Sequence, residues 1–454
     1  MDGRALELHE FTQGKFALFE LSAPAEIEIR AGFDVRWVDV RPRSSGVVPR
    51  IGPGHDAVRV RLTRPVPLTL EFNDDLTRVV HLFAYPPETD RPRPGDPQVR
   101  YFGPGLHEAG LIELRDGETL YLAPGAWVKG SVRSVGTRHV RICGRGVLDG
   151  TDIGGSDAAS GPQPGAVPFR NLILLEGAEG ASIEGITLFN CHRPHVADAF
   201  GTVFVTGCSH VRISGVRVLN PSLNWGDDGF DIVSSSHVLL EDVFVRAGDD
   251  CVAVKNIADV DTRDITVRRA VLWDMPNGGN GLEIGFEIRS HPVHDVHFRD
   301  IDLIHIERGA AISIHNGDTA PVEDVTYDDI RVEDVRRRLI DFAVLYSQGG
   351  LDRPSDEAEN NRRLDVAGAW DGLLRYPPDE AAERAKHRGS IARIHVKNLR
   401  IVEGALPYSA IAGFDDAHRV TDVVIEGLEY QGRPIRSAAD GKFAIDHAAG
   451  ITFR

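Results

Sequence analysis

The chain is built from short runs in which apolar and polar residues alternate. One phrase recurs, in which a polar lead is followed by alternating apolar positions, a two-residue break and a second alternating run. A period of two predicts β-strands, because successive side chains of a strand point to opposite faces. The clearest copies are SHVRISGVRVLN from Ser209, SHVLLEDVFVRAG from Ser236, RDITVRRAVLW from Arg263, HDVHFRDIDLIH from His294 and EDVTYDDIRVEDV from Glu323.

The spacing of these copies predicts a solenoid. Counted from Val211 through Val238, Ile265, Val296 and Val325, equivalent positions lie 27, 27, 31 and 29 residues apart. That length holds about three short strands, which is one turn of a parallel β-helix. A leucine-rich repeat has a similar period, but its L-x-x-L-x-L-x-x-N phrase is absent from the sequence. Neighbouring coils would cover each other's apolar faces.

The N-terminal region follows another pattern. Runs such as AEIEIRAG, AVRVRLTRP and VVHLFAYPP are separated by turn residues, which predicts a small antiparallel β-sandwich over residues 1–92. The segment RPRPGDPQ indicates a Pro-rich linker, placed at 93–100. The coil would occupy 101–454, with a charged insertion at 349–388 that contains a short surface helix.

Composition narrows the possible partners. The net charge of −17 argues against nucleic acid as a partner, because phosphates require clustered Lys and Arg. The sequence has no run of about 18 apolar residues and no leader-like start, so we expect no membrane span and a cytoplasmic enzyme, or a secreted one if the chain was trimmed. The 4 cysteines form no CxxC pair and are expected to be buried thiols.

Acidic residues concentrate in NWGDDGFDIVSSSHVLLEDVFVRAGDDCVAVKN. Residues almost one period apart lie nearly above one another in a solenoid, and neighbouring rungs are about 4.8 Å apart. We therefore expect Asp228, Asp249 and Asp250 to converge on one groove. Aspartates in repeat proteins can instead occupy turns or bind Ca²⁺. The apolar CVAV directly after GDD, and DDGFD one coil earlier, favour a catalytic site.

Crowded carboxylates are what glycosidic cleavage needs. Like-charge repulsion raises the pKa of one carboxyl group, which then donates its proton to the leaving oxygen. Another carboxylate must stay ionised to activate water. In an inverting enzyme the two groups lie roughly 6.5–9.5 Å apart, which leaves room for the water. We therefore expect a glycoside hydrolase that uses no metal and no cofactor.

DDGFD and GDDCVAVK resemble the two aspartate motifs of glycoside hydrolase family 28, the polygalacturonases, which read NTDGFD and GDDCIAI. Members of that family are inverting, right-handed parallel β-helices of the pectin-lyase-like kind. By this resemblance Asp249 would be the general acid, and Asp228 and Asp250 would hold and activate the water. Asp231 would line the sugar subsite.

Two motifs depart from that family. Its GHG motif aligns with GNG, which puts Asn280 at the expected histidine. Its RIK motif, whose basic pair grips a galacturonate carboxylate, aligns with SIH, so Ser313 and His315 replace Arg and Lys. Glu283 would also repel a carboxylate if it faced the cleft. These departures predict a neutral α-linked glycan as substrate.

The N-terminal region resembles a second family. A sandwich joined by a Pro-rich linker to YFGPG and YLAPGAWVKG is similar to glycoside hydrolase family 49, the dextranases and isopullulanases. That resemblance implies an α-glucan substrate such as dextran. A polygalacturonase-type pectin hydrolase and a non-catalytic glycan-binding β-helix remain as alternatives. A β-helix lyase or epimerase is a third, but such enzymes usually need a Lys or Arg base.

Several polar residues are placed beside the same groove by the rung count. Trp225 could stack on a sugar face, and Lys255 could hydrogen-bond a hydroxyl group. The residues expected to contact substrate are Asp231, Trp225, Lys255, Asn280, Glu283, Glu287, His315 and His195.

Overall fold

A computed structural model describes residues 5–151, 171–191, 201–220, 226–276, 278–346, 351–352 and 381–454. Within these ranges, strands form one sheet of five strands, one of three and one of thirty. The thirty-stranded sheet is a continuous parallel coil, and the two smaller sheets precede it. The expected fold, a β-sandwich followed by a parallel β-helix, is confirmed.

The N-terminal sandwich consists of eight strands. They are β1 (His9–Phe11), β2 (Gly14–Glu20), β3 (Ala25–Arg30), β4 (Val38–Arg41), β5 (Arg50–Ile51), β6 (Ala57–Leu62), β7 (Pro67–Phe72) and β8 (Asp75–Tyr85). The sheets have the orders β1-β2-β8-β7-β4 and β3-β6-β5. Every pair is antiparallel except β2 with β8, which runs parallel. The sandwich is therefore mainly antiparallel, with one parallel pair in the larger sheet.

The coil has three columns of parallel strands. Column one contains β9 (Val99–Phe102), β11 (Thr119–Leu122), β13 (Arg141–Gly144), β16 (Ser182–Glu184), β19 (Ser209–Ser214), β22 (Ser236–Glu241) and β33 (Val420–Glu426). Column two contains β14 (Val147–Asp149), β17 (Thr187–Phe189), β20 (Arg217–Leu219), β23 (Phe244–Ala247) and β34 (Glu429–Tyr430). Column three contains β15 (Ile173–Glu176), β18 (Val203–Thr206), β21 (Phe230–Val233), β24 (Val252–Asn256), β26 (Leu282–Ile288), β28 (Ala310–Asn316), β30 (Arg338–Val344), β32 (Tyr408–Ala412) and β36 (Phe443–Asp446).

Longer strands span two columns. Columns two and three share β10 (Gly105–Leu114) and β12 (Ala126–Val135), whereas columns one and two share β25 (Thr262–Asp274), β27 (Val293–Ile306), β29 (Val322–Val332) and β31 (Ile391–Ile401). Short strands close the C-terminal end, namely β35 (Arg433–Pro434), β37 (Ala448–Ala449) and β38 (Thr452–Phe453). Helix α1 (Ala381–Ala385) lies inside the charged insertion expected at 349–388, of which residues 349–350 and 353–380 fall outside the described ranges.

A left-handed bend at a fixed place in each rung explains the polar lead of the repeated phrase. His210, His237, Asp264, Asp295 and Asp324 all have φ between 54° and 57°. This left-handed backbone conformation is unfavourable for most residues other than glycine, and Asp, Asn and His tolerate it best. On each of these rungs, an Asp or His at the bend is therefore followed directly by the apolar residue that column one buries.

The coil core is a stack of equivalent aliphatic side chains. Val211, Val238, Ile265, Val296 and Val325 pair in register on successive rungs and are buried in one continuous core. Each rung covers the apolar face of the one before it, which is how a solenoid gains stability that a single coil lacks.

The sandwich packs against column two. Phe16, Phe83 and Tyr85 of the sandwich share a buried cluster with Phe244 and Trp273 of the coil. Polar groups add to this contact at its edge, where Arg41 pairs with Glu333 and His305 pairs with Glu71. Column two leads directly into the loops before column three, so the sandwich supports the rungs that carry the aspartates.

Cys143, Cys191, Cys208 and Cys251 are all buried and free, as expected. Among the described residues, no helix combines the length and the apolar character needed to cross a membrane.

Candidate active site

Three aspartates meet where column two turns into column three. Asp228 lies two residues before β21, and Asp249 and Asp250 lie between β23 and β24. Strands β21 and β24 are parallel neighbours with Phe230 opposite Val252, so the two turns occupy adjacent rungs. One carboxylate oxygen from each aspartate lies within 4.8 Å of those of the other two. The structure thus brings together the three residues that the sequence placed in one groove.

Backbone and side-chain amides fix two of these carboxylates. Asp249 Oδ2 accepts a hydrogen bond from the Gly226 amide at 2.7 Å, and its Oδ1 accepts one from the Asp250 amide at 3.1 Å. Asp250 Oδ1 accepts hydrogen bonds from the backbone and side-chain amides of Asn280 at 2.7 and 2.9 Å. These bonds hold the carboxylates in place before any ligand arrives.

Burial and mutual repulsion shift the titration of the cluster. Burial raises the pKa of Asp249 to about 6, against the opposing effect of the Gly226 hydrogen bond. Burial, followed by the charges of Asp231 and Asp249, raises the pKa of Asp228. Burial and the charge of Asp249 also raise the pKa of Asp250. Groups this close titrate together, so these upward shifts belong to the cluster as a whole.

Lys255 and Asn280 were both expected to contact substrate, and the structure gives each a protein partner. The Lys255 ammonium lies 3.0 Å from Asp231 Oδ1, 3.6 Å from Asp228 Oδ2 and 3.9 Å from Glu287 Oε2. The Asn280 side chain donates to Asp250 and accepts from the Ala310 amide at 2.8 Å. Asn280 is therefore a support for Asp250, and Glu287 lies at the edge of the same charged group.

Comparison with known proteins identifies the family. The family model described as Glycosyl hydrolases family 28 matches residues 125–352. The chain belongs to family 28. The matched region contains every aspartate described above, and the family assignment agrees with the resemblance carried by DDGFD and GDDCVAVK.

The similarity to curated relatives extends over only part of this chain and part of each relative. The chain is 28% identical over 206 residues to "Exopolygalacturonase rpg15" of Rhizopus delemar, which covers 44% of this chain and 49% of that protein. It is 31% identical over 170 residues to "Probable endopolygalacturonase D" of Aspergillus flavus, which covers 34% of this chain and 32% of that protein. The chain thus spans about half of the first relative and a third of the second.

A solved structure extends the likeness to the N-terminal sandwich. Dex49A from Penicillium minioluteum superposes with a TM-score of 0.66 at 16% identity and covers 96% of this chain and 83% of that chain. At this identity the likeness concerns the fold alone. It nevertheless places the sandwich and the coil in one shared architecture, in line with the expected resemblance of the N-terminal region.

The SIH segment, residues 313–315, contacts acids on the neighbouring rungs. Glu283 and Ser313 are opposite each other on neighbouring rungs, and Asp341 follows Ser313 on the next. Ser313 Oγ donates a hydrogen bond to Glu283, which is fully buried. His315 lies between two acids, with Nδ1 2.9 Å from Glu283 Oε2 and Nε2 3.5 Å from Asp341 Oδ2.

The two acids keep His315 protonated, and they also neutralise its positive charge. Burial alone would lower the pKa of His315, but the carboxylates of Glu283 and Asp341 outweigh burial and raise it to about 10. A protonated imidazole between two carboxylates is fully compensated within the protein. The positive charge that the RIK pair would present to a uronate is therefore not available from this histidine.

Two expected contacts fall outside the described residues. Trp225 lies in 221–225 and His195 lies in 192–200. Their placement relative to the aspartates therefore stays a prediction.

Two acidic residues near the site were missed by sequence reasoning. Asp274 ends β25 opposite Ala247 and is fully buried. Burial, followed by the charges of Asp249 and Asp250, raises its pKa. Counting one rung forward from GDD to the acid that closes AVLWD would have found it. Asp341 was missed for a different reason, because its role depends on a pairing across rungs.

Proposed function

We propose that the chain is an inverting glycoside hydrolase that cleaves an α-glycosidic bond in a neutral oligosaccharide or polysaccharide. The observation that carries the proposal is the convergence of Asp228, Asp249 and Asp250 within 4.8 Å, with Asp228 and Asp250 buried and Asp249 partly exposed. Such surroundings keep one carboxyl group protonated beside another that is ionised, which is the pairing that acid–base cleavage requires.

The assigned roles follow the family 28 motifs. Asp249 donates its proton to the glycosidic oxygen as the bond between that oxygen and the anomeric carbon breaks. Asp228 and Asp250 hold a water molecule on the opposite face of the sugar and accept its proton as the new carbon–oxygen bond forms. The product sugar leaves with inverted configuration, and each carboxyl group returns to its starting state after one proton exchange with solvent.

Inversion rests on family membership rather than on spacing. The nearest oxygens of the three aspartates lie within 4.8 Å, whereas the carboxyl groups of inverting glycosidases are usually roughly 6.5–9.5 Å apart. A water molecule would therefore be held by two carboxylates at one edge of the cluster, rather than between one acid and one distant base. The anomeric configuration of the first product decides this point.

A neutral substrate is supported by the charges beside the aspartates. The acids Asp231, Glu283 and Glu287 add negative charge around the aspartates, and two cations of this region, Lys255 and His315, are each held by acids of the protein. These acids would repel a carboxylate on the sugar, and the charges of Lys255 and His315 are already taken up by acids of the protein. The N-terminal sandwich, shared in fold with Dex49A, is consistent with an α-glucan.

A pectin hydrolase is the second candidate, because both curated relatives carry polygalacturonase names. The test is incubation with isomalto-, nigero- and galacturono-oligosaccharides, followed by analysis of the released chain ends. We expect product from a neutral α-glucan series. Product from the galacturonate series alone would establish the second candidate. No product from any series, with glycan binding retained in Asp249→Asn, would indicate a non-catalytic glycan-binding β-helix.

A matched control separates catalysis from folding. Asp249→Asn removes the assigned acid and should abolish product formation. Asp264→Asn changes an aspartate on an outer bend with a partly exposed carboxylate, at a position where Asn also tolerates the left-handed conformation. That variant should retain wild-type activity.

A further inference from the structure

Lys255 is buried among acids on the catalytic side of the coil. It lies on β24 opposite Val233, and 12% of its side chain is exposed. Its ammonium is 3.0 Å from Asp231 Oδ1 and 3.6 Å from Asp228 Oδ2. With this position occupied by protein carboxylates, the ammonium has little capacity left for a sugar hydroxyl.

Asp231 depends on this lysine. Its side chain is completely buried, and among the described residues neither carboxylate oxygen has a hydrogen-bond partner apart from the ion pair with Lys255. A buried carboxylate requires a nearby cation or a proton to offset the loss of hydration. Lys255 supplies that cation, and the same ammonium reaches Asp228.

The charge of Lys255 acts unevenly across the aspartates. It forms ion pairs within 4.0 Å with Asp228, Asp231 and Glu287, whereas no such pair joins it to Asp249 or Asp250 in the described part of the chain. Its more distant charge still opposes the rise that burial causes in the pKa of Asp249 and of Asp250. Coulomb attraction falls with distance, so negative charge is favoured most on the side of Asp228. The charged groups facing Asp228 are Asp231, Asp249, Asp250 and Lys255, and those facing Lys255 also include Glu287.

We propose that Lys255 is a positioning residue that keeps the negative charge of the cluster on Asp228 and Asp231 and leaves the transferable proton to Asp249. Because its ammonium is held by Asp231 and Asp228, Lys255 acts through these two aspartates. The proposal rests on the proposed function for its catalytic meaning. Its electrostatic part concerns the resting protein and can be tested separately.

The activity test compares Lys255→Met with Lys255→Arg and with Lys15→Met, which removes a surface lysine of the sandwich. Without the ammonium, Asp228 binds its proton more tightly, so the base is ionised only at higher pH. We expect kcat/KM of Lys255→Met to fall at least tenfold and the acidic limb of its pH profile to move upward by about one unit or more. Lys255→Arg keeps the positive charge, so its pH profile should lie close to that of the wild type. Lys15→Met should match the wild type. A rate loss with an unchanged pH profile would overturn the proposal.

A second measurement does not require turnover. Carboxyl ¹³C resonances of aspartate, titrated in wild type and Lys255→Met, should show the Asp228 midpoint rising in the variant, and an unchanged midpoint would overturn the proposal. If no glycan is cleaved by the wild type, the proposed function fails while this titration still decides the role of Lys255. If Lys255→Met does not fold, Lys255→Gln takes its place, because it keeps a hydrogen-bond donor for Asp231 and removes only the charge. The same upward shift of Asp228 is expected there, and its absence contradicts the proposal.

Discussion

Asp250 Oδ1 accepts two hydrogen bonds from Asn280, one from the backbone amide at 2.7 Å and one from the side-chain amide at 2.9 Å. Asn280 occupies the position at which the family 28 motif has histidine. The same side chain accepts a hydrogen bond from the Ala310 amide on the next rung. One asparagine thus ties an aspartate of the cluster to the rung that follows it.

Asn280→Ala should lower kcat without unfolding the coil. A hydrogen bond to a charged group contributes about 1.5–3 kcal/mol, which corresponds to a loss of roughly 10–100-fold if it is needed in the transition state. Steady-state kinetics on the cleaved glycan measures the effect. Asn398→Gly, on an outer bend whose left-handed conformation glycine also adopts, is the control and should keep wild-type kcat. Equal kinetics in Asn280→Ala and wild type would show that Asp250 does not need this support.

Gly279→Ala should displace the backbone between Asp249 and Asp250. A Cβ atom at this position would lie 2.1 Å from the Asp249 carbonyl carbon and 2.3 Å from the Asp250 nitrogen. The backbone must move to relieve these contacts, and a shift of about 1 Å at reacting groups can cost on the order of 100-fold in rate. Gly32→Ala, with no atom within 4 Å of the added Cβ, is the control. Unchanged activity in Gly279→Ala would contradict the close approach.

Asp249→Asn should stabilise the fold at alkaline pH and have little effect at acidic pH. Burial raises the pKa of Asp249 from 3.8 to about 6, so the folded protein binds the proton more tightly than the unfolded chain. The native state therefore loses stability as the pH rises from about 4 through about 6. Removing the charge should recover roughly 2–3 kcal/mol at pH 8 by the usual conversion of about 1.4 kcal/mol per unit. Denaturant titrations at pH 4 and pH 8 measure it, and equal changes at both pH values would oppose this account.

Arg41→Met should weaken the attachment of the sandwich. Arg41 lies 2.9 Å from Glu71 and 2.7 Å from Glu333, and the Glu333 side chain is fully covered. Removing one partner of a buried pair typically costs about 3–5 kcal/mol, because the other charge is left without compensation. Urea denaturation should show this loss, and Arg41→Met/Glu333→Gln should show a smaller one. Arg393→Met breaks an exposed pair and should change stability by less than about 1 kcal/mol.

A chelator should leave activity unchanged. The acid and base roles are assigned to Asp228, Asp249 and Asp250 without a metal ion, so prolonged incubation with EDTA followed by assay should return the original rate. Loss of activity that added Ca²⁺ restores would instead make the aspartates ligands of a cation.

The repeat could be predicted from sequence because each rung uses the same physical solution. Aliphatic side chains such as Val238 and Ile265 recur at one position, and His237 and Asp264 recur at the left-handed bend before them. The convergence of the aspartates followed from the same count. The sequence also suggested the sandwich, although the parallel pairing of β2 with β8 depends on contacts between distant segments and had no local signal.

The parts that could not be predicted depend on partners in other rungs. Lys255 and Asn280 are polar residues in suitable places, and only their contacts show that they hold aspartates. His315 was expected to contact substrate, but Asp341 from the following rung compensates its charge. A sequence gives the position of such residues along a rung, whereas the direction and partner of each side chain depend on the packing of several rungs.

The central claim is that aspartates from adjacent rungs hydrolyse an α-glycosidic bond by a single displacement. The most direct test is ¹H NMR of the first sugar released from a neutral α-linked oligosaccharide, recorded before mutarotation. The account predicts the β-anomer from the wild-type protein and no product from Asp249→Asn. Initial release of the α-anomer, or undiminished hydrolysis by Asp249→Asn, would contradict it.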